Sequence, residues 1–216
     1  MSLADPLLGR RPHHPPPALE LWDGVRLPYA RVHEVCGRAR RTLALRLAAK
    51  AGGPVFWIAQ ERGGGALNPD GMVPLIGPGQ VTFLAPKSAS DLLWCMEEVL
   101  RAGCVPTVIT ELPEPPPMTP VRRLHLAAET GAAQGMCQPL GLILTPGRGG
   151  AAGIETRWGL EPAHLPGRDL WRLERMRARM LPPQVWWLEG DSLTKQAPRT
   201  TQDAEPPLAP QGTALT

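Results

Sequence analysis

Between residues 81 and 111, VTFLAPKSASDLLWCMEEVLRAGCVPTVITE, the spacing of apolar positions changes twice. Val81-Thr82-Phe83-Leu84 is a short β-rich run, followed by a loop containing Pro86. Ser88 can cap a helix, with Asp91 three residues on. Leu92, Leu93, Met96, Val99 and Leu100 then recur at helical spacing, flanked by Glu97 and Glu98. Gly103 stands where a helix ends in the left-handed conformation, and residues 105–110 form a second β-rich run ending in Glu111. Strand, helix and strand with tight connections predict a crossover unit in a parallel sheet covered by helices.

The remaining pattern extends that layer. Residues 19–32 read as a short entry segment carrying Trp22 and Tyr29. Residues 31–51 read as a basic helix with Leu43, Leu47, Ala48 and Ala51 on its apolar side, ended by Gly52-Gly53-Pro54. The apolar run 55–59 predicts an internal strand, and 60–79 a loop with Gly63-Gly64-Gly65 and the turn Asn68-Pro69-Asp70-Gly71. Thr119-Pro120 reads as N-cap and first helical residue, with Val121, Leu124, Ala127 and Ala128 buried and Gly131 as the stop. Residues 140–144 predict a buried strand, and 147–153 a flexible loop around Arg148. Ile154, Thr156, Trp158 and Leu160 alternate with polar residues as in a half-exposed strand, and 185–189 is strand-like. Residues 169–180 fit either period. The sum is an α/β fold: a mostly parallel sheet flanked by helices, with antiparallel strands toward the C-terminus. Residues 19–190 form the domain, between a Pro-rich disordered arm, 1–18, and a polar disordered tail, 191–216.

Composition narrows the chemistry. A chain of 216 residues supports one core, and a net charge of +3 does not by itself mark a nucleic-acid binder. Cys36, Cys95, Cys104 and Cys137 show no metal-like spacing, and Cys95 falls within the amphipathic helix as a buried, reduced thiol. His13-His14 in the proline-rich arm reads as solvated, so no metal is expected. No signal peptide or membrane-length apolar run is visible, which predicts a cytoplasmic protein.

A phosphate-binding loop needs G-x-x-x-x-G-K-S/T, because backbone amides surround the phosphates and lysine neutralises them. Ahead of the first long helix stands Glu34-Val35-Cys36-Gly37-Arg38-Ala39-Arg40-Arg41-Thr42. Gly37, Arg41 and Thr42 are at most a degenerate remnant, so neither nucleotide nor any other cofactor is expected. Glu61 and Glu111 follow predicted strands and would emerge at the carboxyl edge of a parallel sheet, where α/β folds place ligands. Paired, they could orient a water or hold a metal; unpaired, they are solvated strand ends. Arg38 and Arg40, with Arg172, Arg175 and Arg177, form two arginine-rich segments that suit an acidic partner or a nucleic-acid backbone. In Trp186-Trp187 one ring can enter the core while the other looks outward as an interface anchor.

The order of segments resembles the ImuA family, the RecA-like, sometimes SulA-like, proteins of the bacterial SOS mutagenesis cassette. Leu67-Asn68-Pro69-Asp70, Leu93-Trp94-Cys95-Met96-Glu97-Glu98, Val121-Arg122-Arg123-Leu124-His125-Leu126-Ala127-Ala128-Glu129, Glu155-Thr156-Arg157-Trp158 and Trp186-Trp187-Leu188-Glu189 carry the likeness, over roughly residues 20–190. The resemblance implies a RecA-like core and strands at 169–180. Glu61 would match the water-positioning glutamate, Glu111 would fall near the acidic end of the Walker B strand, and 145–153, with Arg148, would stand in for a shortened DNA-contacting loop. It further implies a non-catalytic adaptor of translesion synthesis that contacts an ImuB-like protein, RecA or an error-prone polymerase. The competing expectations are a RecA-like ATPase using Arg41 in place of lysine, and a DNA-binding protein using its arginine faces.

Overall fold

The computed structural model describes residues 16–60, 67–179 and 181–198. A nine-stranded sheet runs through the molecule. It contains β3 (Arg31–Cys36), β4 (Val55–Ile58), β5 (Val81–Leu84), β6 (Thr107–Glu111), β7 (Leu140–Leu144), β8 (Thr156–Pro162), β9 (Leu170–Ala178), β10 (Gln184–Glu189) and β11 (Ser192–Thr194). Their order is β11-β10-β9-β8-β3-β7-β6-β4-β5. The strands from β8 to β5 run parallel, and β9, β10 and β11 extend the sheet antiparallel, so the α/β expectation holds. A separate hairpin, β1 (Ala18–Trp22) with β2 (Val25–Pro28), precedes the sheet.

Four helices connect the strands: α1 (Arg40–Ala51), the single turn α2 (Pro69–Met72), α3 (Ala89–Ala102) and α4 (Met118–Gln134). Leu43, Leu47 and Ala48 of α1 pack with Leu19, Val25 and Leu27 of the hairpin on one face of the sheet. Leu92, Met96 and Leu100 of α3 pack with Val121, Leu124 and Ala128 of α4 on the other. The predicted crossover unit forms as β5, α3 and β6, although β4 lies between its two strands. Ser88 Oγ accepts from the Asp91 amide at 3.2 Å and Gly103 closes the helix at φ 56°.

Several expectations change. Residues 31–36, read as the start of a helix, are β3, the strand at the centre of the sheet. Its polar His33 and Glu34 are fully buried and answered by partners, so their polarity hid a central strand. The entry segment 19–32 is the β1–β2 hairpin leading into β3, turned at Asp23-Gly24 with Gly24 at φ 79°. Helix α4 starts at Met118, before Thr119, and continues through Gly131 to Gln134. Gly131 is a packing residue there: a Cβ would lie 2.0 Å from the Leu100 carbonyl oxygen of α3. The ambiguous stretch resolves as β9, with Met180 outside the described residues. Within 191–216, β11 adds an edge strand to β10, and 199–216, like 1–15, lie outside the described residues. Cys95 is half-buried, and all four cysteines are free.

Candidate functional site

Strand β3 delivers the chain to the carboxyl edge of the sheet at residues 37–40, where a phosphate-binding loop would expose its amides. Here the amides bind the protein itself. Gly37 N donates to Gly147 O at 2.9 Å, Arg38 N to Glu161 Oε1 at 3.2 Å, Ala39 N to Leu160 O at 3.1 Å, and Arg40 N to Gly37 O at 3.3 Å. Gly37, at φ 91°, is required for this approach, since a Cβ would meet the Leu160 carbonyl oxygen at 2.4 Å. The turn between β3 and α1 is thereby sewn to β8 and to the loop after β7.

One helical turn on, Arg41 points across the edge to the end of β6. Its Nε and Nη2 donate to Glu111 Oε2 at 3.1 and 2.9 Å. The other carboxylate oxygen accepts from Trp57 Nε1 at 3.0 Å, so both oxygens of Glu111 are held. The pair is half-buried, where charge-assisted bonds to a guanidinium fork are stronger than on open surface. Thr42 is half-buried in the same turn of α1. Glu61, expected beside Glu111, lies outside the described residues.

Beside this lies a second charged centre that the sequence reading passed over. Glu34 is fully buried and accepts from Thr145 Oγ1 at 2.7 Å, Gly150 N at 2.8 Å, Ala151 N at 3.1 Å and the Arg157 guanidinium. Arg157 also donates to Ala151 O at 3.1 Å. The loop 147–153, expected to be flexible, is therefore wound around a buried carboxylate. Gly149 is needed at φ 69°, because a Cβ would come 2.6 Å from Glu34 Oε1. Arg148 reaches out of this loop to Glu174 Oε1 at 3.0 Å.

The arginines and tryptophans divide between surface and core. Arg172 pairs across the sheet with both Trp187 and Glu161, which places the three side chains on one face. Glu161 binds Arg38, and Glu174 binds Arg172 and Arg148. These two arginines hold the Glu174 carboxyl below its ordinary pKa against the opposing effect of burial, which is the largest single influence on it. Arg38, Glu161, Arg172, Trp187, Glu174 and Arg148 thus form one continuous charged patch, with a half-exposed indole in it. Arg40 is half-buried and turns back to Gly37 O at 3.2 Å, and Arg177 is exposed beyond the bulge in β9 at Met176.

Arg175 and Trp186, expected at a partner surface, are interior. The Arg175 guanidinium donates to Pro182 O and Gly24 O, and lies 5.8 and 5.2 Å over the Trp158 and Trp186 rings. Burial lowers its pKa. The alternation rule held for the Trp-Trp pair, because Trp186 is 3% exposed while Trp187 looks outward.

Among the described residues no group of three or more metal-ligating side chains occurs, and no helix is long and apolar enough to cross a membrane. No protein-family model matches the sequence, and no curated protein matches it. Among solved structures, SulA from Pseudomonas aeruginosa is similar at 20% identity, with a TM-score of 0.43, over 56% of this chain and 100% of that chain.

Proposed function

We propose that this protein is an accessory factor of SOS-induced, error-prone translesion DNA synthesis that works by protein–protein contact and does not turn over nucleotide. The observation that carries this reading is the engaged carboxyl edge. Four consecutive amides after β3 are bonded within the chain, and Arg41 is bound to the acid that a magnesium–triphosphate would need. A triphosphate entering here would have to strip Glu111 of Arg41, peel Arg38 and Ala39 from β8 and free Gly37 from Gly147. The resemblance to the ImuA family supplies the expected partners: an ImuB-like protein, RecA or an error-prone polymerase.

The patch of Arg38, Arg172, Trp187 and Arg148 is the surface we assign to that contact. Its arginines are each matched by Glu161 or Glu174, so it presents mixed charge and an aromatic anchor. That chemistry suits a protein partner better than a polyanion, which favours unpaired cations.

Two measurements test the proposal together. Calorimetry with magnesium-ATP is expected to show no binding in the micromolar range; micromolar binding abolished by Arg41→Ala would establish the ATPase reading instead. Co-purification with an ImuB-like protein is expected to be lost in Trp187→Ala and Arg172→Glu while the fold is retained. Unchanged capture by both variants would remove the patch from the contact.

A further inference from the structure

At the opposite, amino edge of the parallel strands, the turns that follow α3 and α4 close onto one carbonyl group. Gly103 O accepts from Met136 N at 2.9 Å, from Cys137 N at 3.2 Å and from Cys137 Sγ at 3.2 Å. The next residue after Gly103 is Cys104, which is exposed, while Cys137 is half-buried. With standard peptide geometry the Cys137 N–Gly103 O bond holds the two Cα atoms within about 7.5 Å, a ceiling that spans the disulfide range of about 4.4–6.8 Å. Gly103, Gly131 and Gly135 allow this approach, because a Cβ on Gly135 would lie 2.6 Å from both the Cα and the carbonyl oxygen of Gly103. The two backbones are already in contact at Gly103, and the bridge forms when the exposed Cys104 side chain turns toward Cys137.

We infer that Cys104 and Cys137 form a thiol–disulfide site that joins the end of α3 to the end of α4 when a low-molecular-weight disulfide, such as oxidised glutathione, is present. The exposed Cys104 thiolate attacks the small disulfide, forming a mixed disulfide and releasing one small thiol. The Cys137 thiol then loses its proton and attacks the Cys104 sulfur, displacing the second small thiol. Two protein thiols are oxidised and one small disulfide is reduced to two thiols, so no further oxidant is needed. Cys137 is the resolving partner: it is half-buried, and burial and the neighbouring Cys104 raise its pKa, so the exposed Cys104 is the thiol that attacks first. Cys36 is a poor competitor, since burial pushes its thiol up to about 12.

Incubation of the full chain with oxidised glutathione, followed by intact-mass and peptide analysis, tests the assignment. The expected product lacks the mass of two hydrogen atoms and yields a peptide joining Cys104 to Cys137. Loop-closure entropy predicts a Tm higher by roughly 8–15 °C in the bridged chain, reversed by dithiothreitol. Cys137→Ser is expected to stop at a mixed disulfide on Cys104, and Cys104→Ser to remain unbridged. A wild-type chain carrying glutathione on Cys104 with no 104–137 peptide would overturn the inference, as would a bridge formed only between chains. The site is remote from Arg41 and Glu111, so these outcomes are independent of nucleotide binding and partner capture.

Discussion

His33 makes the stability of this protein depend on pH well above the range in which carboxylates titrate. The ring sits in the middle of β3 with no exposure, and its bonds run in one direction. Nε2 lies 2.9 Å from the Pro28 carbonyl oxygen, which can only accept, so Nε2 carries the proton. Nδ1, 2.7 Å from Thr156 Oγ1, is then the acceptor of the threonine hydroxyl, whose oxygen receives Trp158 Nε1–H at 2.8 Å. A second proton on His33 would set N–H against O–H inside a desolvated site. Burial is the main cause that lowers its pKa from 6.5 to about 3, partly countered by the Pro28 bond, with His125 and Arg31 adding to the depression.

Because the folded-state pKa lies below the unfolded one, the unfolded chain takes up the proton first. Stability from this group is full above 6.5 and drains as pH falls toward 3. Between pH 7 and pH 5 the loss comes to about 2 kcal/mol, a large share of the ~5–15 kcal/mol that holds a typical domain. His125 adds loss of the same sign, since burial also lowers its pKa. The assay is urea unfolding followed by tryptophan fluorescence at fixed ionic strength, at half-unit steps from pH 7.5 to about pH 5. The wild-type stability should slope downward below pH 6.5, and His33→Gln should flatten most of that slope. Superimposed slopes for the two proteins would refute the reasoning, whatever the absolute stability of the variant.

Other perturbations separate core from surface. Glu34→Ala should cost about 3–5 kcal/mol in urea unfolding, because Arg157 and the amides of Gly150 and Ala151 are left facing a void. Gly131→Ala should destabilise by about 1–3 kcal/mol, in spite of alanine's better helix propensity, since the added Cβ meets the backbone of α3 at 2.0 Å. Trp186→Ala should lose about 3–5 kcal/mol and Trp187→Ala about 1 kcal/mol, measured side by side in the same denaturant series.

What the sequence disclosed follows from where polar residues fall. The unit from β5 to β6 was legible because its caps and apolar stripe agree with one another, and β7 because all five residues are buried. Strand β3 was not, since half of its interior is His33 and Glu34, a pattern that only their distant partners Thr156, Thr145 and Arg157 make tolerable. The hairpin before it carried a readable signal in Asp23-Gly24, the dipeptide of a tight two-residue turn. Gly131 misled for a related reason. Glycine ends helices through backbone freedom, but it also lets two helices touch, and only the position of α3 distinguishes these uses. At the candidate site, Glu111 and Arg41 were each visible, while their attachment joins residues 70 positions apart and has no local signature.

The charges along the carboxyl edge share a logic that bears on the proposed role. Glu111 is answered by Arg41, Glu34 by Arg157, Glu161 by Arg38, and Glu174 by Arg172 and Arg148. In an α/β enzyme, acids at such an edge keep free valence for a metal, a water or a substrate proton. Here each of these four acids is matched by an arginine, which cannot give up its proton near neutral pH. Arg157 and Arg41 are the more buried of these arginines and hold Glu34 and Glu111 firmly, whereas the exposed Arg38 and Arg148 contribute charge to the surface more than rigidity. The half-exposed Trp187 lies within this charge-matched surface. A surface whose charges are already paired needs less reordering when a second protein docks, which suits the contact role proposed above.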